Sequence, residues 1–133
     1  PGAGFVTPMA AIVIGLAVGA ICYGAIMLKG RFGYDDSLDV VGVHFVGGMF
    51  GALATGLFAT KAVNPAGADG LFYGNPKLFA VQALAACVAM VYAFCVSYAL
   101  LVLLDKTMGL RVDPEHESMG LDLSQHGEAG YTR

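Results

Sequence analysis

One histidine, His44, lies in a 21-residue stretch, Val40 to Thr60, that holds no Lys, Arg, Asp or Glu. An imidazole both donates and accepts hydrogen bonds and titrates near neutral pH, so it can hold a small polar solute or pass a proton. In an apolar segment such a group is expensive to desolvate, and it ordinarily faces a bundle interior or a polar pathway rather than lipid. The acidic string Asp35-Asp36-Ser37-Leu38-Asp39 stands immediately before it. Asp39 or Ser37 is placed to cap the helix that follows, where the dipole favours negative charge. A helix rises only about 7.5 Å from Asp39 to His44. With His44 near a bilayer midplane, Asp39 would be partly buried and would need hydrogen-bond donors from a neighbouring segment. On a helical wheel Val40, His44, Gly47, Gly48 and Gly51 share one face, a stripe of small residues that another helix or a narrow lumen can approach. Spacing alone leaves three roles open for His44: a structural histidine bonded to a carbonyl, a pore-lining or proton-handling group, or a haem or metal ligand. The last is the weakest, because no span carries a second histidine.

The elements that must position this residue are membrane helices. Hydrophobic residues make up 57% of the chain and charged residues 13%, far from the balance of a soluble domain. Three stretches are free of charge for long enough to cross a bilayer, which takes about 20 residues: 8–28, 40–60 and 78–104. The first carries Gly15-x-x-x-Gly19 and the second Gly47-x-x-x-Gly51, small-residue spacings that let membrane helices approach closely. The third is bulkier, and a helix from Leu78 to about Leu110 would run to about 50 Å. A hydrocarbon core of about 30 Å does not contain that without tilt or protrusion. The 61–77 connection is punctuated by Asn64-Pro65, Gly67, Gly70, Gly74 and Asn75-Pro76, all turn formers, with Phe72 and Tyr73 expected at the membrane interface. The chain starts at Pro1 rather than a methionine, which suggests a processed chain or a piece of a longer one.

Charge is segregated along the chain. From residue 112 to 133, Asp113, Glu115, Glu117, Asp122 and Glu128 face only Arg133, so the expected division is a membrane region, 1–104, and a water-facing tail, 105–133. Lys29, Arg31, Lys106 and Arg111 fall on one side of three spans and Lys61 and Lys77 on the other, which favours a cytoplasmic tail. Composition alone favours a disordered, solubilising tail. The cysteines Cys22, Cys87 and Cys95 form no CxxC pair and read as apolar packing residues. Metal-ligand spacing and a nucleophile–base motif are lacking, so neither a cofactor nor an enzyme activity is expected. Seven scattered basic residues on a net-acidic chain argue against nucleic-acid binding.

The chain resembles the Amt family of ammonium transporters. The likeness runs through Val6-Thr7-Pro8, the Gly33-to-His44 segment GYDDSLDVVGVH, Gly47-Gly48, Ala54-Thr55-Gly56-Leu57-Phe58-Ala59 and Gly70-Leu71-Phe72-Tyr73-Gly74. It continues through Gly109-Leu110-Arg111-Val112, Gly120-Leu121-Asp122 and His126-Gly127-Glu128. The resemblance implies an all-α integral membrane protein: three transmembrane helices, the last three of an eleven-helix fold of inverted repeats, followed by a cytoplasmic tail. It implies a homotrimer in the plasma membrane, with ammonium or ammonia as substrate and a pore in each subunit. His44 then corresponds to one of two pore histidines, Val40 to an apolar pore-lining position, and Asp39 to a structural aspartate at the start of the helix. Phe45 departs from the glycine expected there, which bears on local packing. The tail, with Arg111, Gly120, Asp122, His126, Gly127 and Glu128, is similar to an ordered regulatory segment that couples to a PII-type partner. His126 and Glu128 are read as packing residues of that tail. An ammonium sensor that signals through the same tail is the alternative.

Overall fold

The computed structural model describes residues 1–130; Tyr131, Thr132 and Arg133, the end of the expected tail, lie outside the described residues. The described chain is helical, without strands. Three helices carry it: α1 (Pro8–Phe32), α2 (Val46–Phe58), which continues a π-helical turn at Val41–Phe45, and α3 (Pro76–Met108). Each is long and apolar enough to cross a membrane, α2 together with its π-turn.

Local chemistry sets the ends of α1. The Thr7 hydroxyl accepts the Ala10 N–H at 3.3 Å, and Pro8 occupies the first turn, where its missing N–H costs nothing. Gly33, at φ 66°, closes the helix by donating its N–H to the Lys29 carbonyl at 3.0 Å, the left-handed cap that glycine adopts most easily. α1 therefore runs four residues past the charge-free stretch. Lys29 and Arg31 stand in its last turn, where the dipole favours cations, so the end of the apolar run was not the end of the helix.

The second helix ends earlier than its apolar run. At Ala59 the backbone turns extended (ψ 143°), because the chain is captured from outside: Gly70 donates to the Ala59 carbonyl at 2.8 Å and Thr60 to the Phe5 carbonyl at 2.9 Å. The most tightly packed part of the chain lies here, with Ala54, Thr55, Ala59 and Thr60 all buried. Asp69 accepts the Lys61 N–H at 2.9 Å, and Phe72, on a 3-10 turn at Leu71–Tyr73, packs edge-on against Phe58 with ring centroids 4.9 Å apart.

Contacts divide the chain into two units, Pro1–Met90 and Val91 onward. In the first, α2 meets α1 through glycines. A side chain at Gly42 would lie 3.0 Å from Ile26, and one at Gly47 would lie 3.1 Å from the Cys22 sulfur. The second unit holds the remainder of α3, a short helix α4 (Pro114–Met119) and a π-turn at Asp122–His126. α3 has no buried residue along its 33-residue length, and Leu84, Tyr92, Phe94 and Tyr98 are all exposed. Its first turns touch α2, where Gln82 donates to the Ala52 carbonyl at 3.4 Å; an apolar helix left so largely uncovered is suited to hydrocarbon, where its backbone bonds are satisfied internally.

Candidate functional site

The segment that presents His44 begins in the α1–α2 connection. Asp36 is its cap: its two carboxylate oxygens accept the N–H groups of Val40 and Val41, both at 2.8 Å. Neither Asp39 nor Ser37, the two residues expected in that role, makes this bond. The reason is conformational. Asp39 is left-handed, with φ 55°, the only such non-glycine among the described residues, which turns its side chain away from the helix start. Its carboxylate instead forms an ion pair with Lys29 from the last turn of α1. Asp39 is partly buried, and Lys29 is the neighbouring donor that such a carboxylate requires. Lys29 also donates to the Asp36 carbonyl at 2.8 Å.

His44 lies inside the π-turn. The Val46 N–H bonds back to the Val41 carbonyl, five residues away, so one extra residue is accommodated before regular helix resumes. Such π-bulges occur frequently at functional sites. The extra residue divides the face that an ideal wheel assigns to Val40, His44, Gly47, Gly48 and Gly51. Gly42, Gly47 and Gly51 close against Ile26, Cys22 and Pro1, whereas a side chain at Gly48 would meet nothing within 4 Å. His44 and Val40 are both exposed, and His44 stands one turn before Gly48 on this open side. Thus the glycines serve helix packing and the histidine stays available. The Cys22 thiol, expected only to pack, also donates to the Val43 carbonyl at 3.7 Å.

The tail residues assemble separately. Arg111 bonds the Glu117 carboxylate through Nη2 at 3.0 and 3.1 Å and through Nε at 3.3 Å. Gly120, at φ 98°, donates to the His116 and Glu117 carbonyls, ending α4. Asp122 accepts the Gly130 N–H at 3.0 Å through its side chain and the Glu128 N–H at 2.9 Å through its carbonyl, while Gly127, at φ 66°, caps the turn that contains His126. The Gly130 N–H, followed by that of Leu123, holds the Asp122 carboxyl below the usual carboxylate range. A tail that composition would leave disordered therefore has turn-by-turn hydrogen bonding. Among the described residues no three His, Cys, Asp or Glu side chains converge as a metal site would require.

Lys29, Asp36 and the π-turn were not legible as parts of the site. The available signal was the four-residue step from Asp36 to Val40, which suits a carboxylate reaching forward to backbone N–H groups.

Comparison with known proteins places this geometry. A family described as the Ammonium Transporter Family matches residues 1–131. An ammonium transporter of Bacillus subtilis is 50% identical over 132 residues, covering 98% of this chain and 33% of that protein. Ammonium transporter Amt1 of Archaeoglobus fulgidus is 44% identical over 132 residues, covering 99% of this chain and 33% of that protein. The crystal structure of Saccharomyces cerevisiae Mep2 superposes with a TM-score of 0.79 at 34% identity, covering 86% of this chain and 27% of that one. The chain spans about a third of the length of the relatives it matches.

Proposed function

Because the chain belongs to the ammonium transporter family, whose fold is a multi-pass helical membrane protein, we propose that it forms one wall of a path for ammonium or ammonia, with His44 on that path. The observation that carries this reading is an exposed histidine at a π-turn, on the side of a membrane-length helix that its own glycine packing leaves open. A narrow apolar lumen makes desolvated ammonium ion costly and neutral ammonia tolerable. An imidazole in such a lumen supplies a donor and an acceptor at a fixed height, and its tautomer decides which face offers which. Val40, one turn earlier, contributes an apolar wall. A second histidine comes from a segment outside this chain, and three subunits assemble around separate paths. Asp39 organises the start of the helix. Residues 1–104 are the membrane region and 105–133 a cytoplasmic tail, in which Arg111, Gly120, Asp122, His126, Gly127 and Glu128 belong to an ordered regulatory segment, His126 and Glu128 as packing residues, that couples to a PII-type partner.

The test uses a full-length protein carrying this sequence, reconstituted in phospholipid vesicles, with ammonium and methylammonium flux as the readout. Replacing His44 with Asp or Glu is expected to change the selectivity between the two or the proton coupling. Unchanged transport with reduced stability would reject the pore role. Tight ammonium binding without flux in the parent would favour a sensor that signals through its tail.

A further inference from the structure

We infer that Lys29 is a positioning residue for His44, acting through Asp39 on the rotational setting of the π-turn; this rests on the reading of His44 as part of the transport path. Lys29 ties α1 to both anchors of the segment before His44, the Asp39 carboxylate and the Asp36 carbonyl. Those anchors determine where the helix begins. Asp36 takes the Val40 and Val41 N–H groups, and the Asp39 carbonyl accepts the Val43 N–H at 2.8 Å, one residue before His44. Asp39 does this from a left-handed backbone, a conformation that aspartate and asparagine enter more readily than other non-glycine residues and that a surrounding contact can hold in place. The Lys29 ion pair is such a contact.

On its other side the π-turn is fixed by Gly47 against Cys22 and Val18. Between these two fixed points the chain has one residue more than an α-helix needs, and the π-turn absorbs it. Releasing the first anchor allows that residue to slip back into the connection. The segment then relaxes to ordinary α-helix, and His44, inside the turn and three residues before Gly47, rotates by part of the one-residue step of about 100°. The second anchor would stay put, since Gly47 touches α1 independently of Lys29. Loss of Lys29 therefore re-aims the imidazole and takes Gly42 off Ile26, while the contact of Gly47 with Cys22 remains.

The test is the methylammonium-to-ammonium flux ratio of the full-length protein in phospholipid vesicles, for Lys29→Met, Lys29→Arg and Asp39→Asn, each made with His44 intact and with His44→Ala. With His44 intact, Lys29→Met is expected to move the ratio about fivefold, within the coupling found between residues of one ion-pair network. Lys29→Arg, which keeps a cation within reach of the carboxylate, is expected to recover most of the parental ratio. In the His44→Ala background Lys29→Met should add nothing. Equal ratio shifts in both backgrounds, or a uniform fall in flux at constant ratio, would overturn the inference. Where Lys29→Met does not assemble, Asp39→Asn decides, because it keeps the left-handed preference and removes the charge: a ratio shift supports the inference and a parental ratio overturns it. A parent without flux overturns the transport reading and this inference together, whereas a parent whose ratio responds to His44→Ala but to neither Lys29→Met nor Asp39→Asn overturns this inference alone.

Discussion

Replacing Gly70 with Ala should destabilise the packed end of the first unit by about 2–4 kcal/mol. The backbone angles at Gly70 (φ −85°, ψ −175°) are open to any residue, so the penalty is one of space. An added Cβ would lie 2.6 Å from the Leu57 carbonyl oxygen, 2.7 Å from that of Gly56 and 2.8 Å from the Leu57 carbonyl carbon. These are backbone atoms of the last turn of α2 and have no rotamer to change. Reaching even a 3.0 Å approach requires about 0.4 Å of main-chain movement in a packed interior. Gly70 is held against that movement by its N–H bond to Ala59 at 2.8 Å and by its carbonyl, which accepts the N–H groups of Tyr73 at 3.0 Å and Asn75 at 3.1 Å. Overpacking of this kind costs about 1–3 kcal/mol, and a stretched backbone bond adds about 1 kcal/mol. Gly67→Ala is the matched control. Its Cβ would meet the Asn64 carbonyl at 3.2 Å and the Phe5 ring at 3.3 Å, and the ring can move, so its cost should stay below about 1 kcal/mol. Heating the detergent-solubilised full-length protein and measuring the fraction that still elutes as assembled protein ranks the two. A Gly70→Ala midpoint equal to the parent's, or above that of Gly67→Ala, would refute the steric argument.

Asp36→Ala leaves two N–H groups at the start of the second span without their acceptor and should cost about 1–2 kcal/mol, measured as the same thermal midpoint, with Ser37→Ala as a silent control. In the tail, the Asp122 carboxyl is held below its ordinary value by the Gly130 N–H. The stability it contributes is accordingly full above the usual carboxylate pKa of about 3.9 and is lost as pH falls through the lowered value. Rate-corrected amide protection at Gly130 should therefore stay constant from neutral pH to about pH 5 and decline only in stronger acid, a dependence that Asp122→Asn abolishes. Expressed alone, the 133-residue chain supplies one wall of a path and should give vesicles no ammonia flux above protein-free controls; a reproducible flux would contradict the placement of His44 on an open wall.

The apolar runs made three membrane helices legible from composition, because hydrocarbon demands internally bonded backbone and penalises charge regardless of tertiary context. Turn chemistry was equally local: Thr7-Pro8 opens α1, Gly33 closes it, and Gly109, at φ 75°, follows the last residue of α3. The motif residues around His44 also carried the family in their order and spacing. Charge-free boundaries, by contrast, did not mark where helices end, since Lys29 and Arg31 are favourable within the last turn of α1 and Ala59 is captured by Gly70.

What sequence could not determine was the phase of the helix around His44. A wheel assumes 100° per residue, and a single π-turn breaks that assumption, separating the glycines that pack on α1 from the histidine that does not. The cap was likewise misassigned: Asp39 and Ser37 were expected there, whereas Asp36, a carboxylate with the same cap chemistry, takes the Val40 and Val41 N–H groups. In the folded chain the left-handed Asp39 pairs with Lys29 of α1, and the N–H groups of Val40 and Val41 go to Asp36. The residue types that can do the chemistry are a property of the chain, whereas the direction in which His44 presents them depends on contacts between segments distant in sequence.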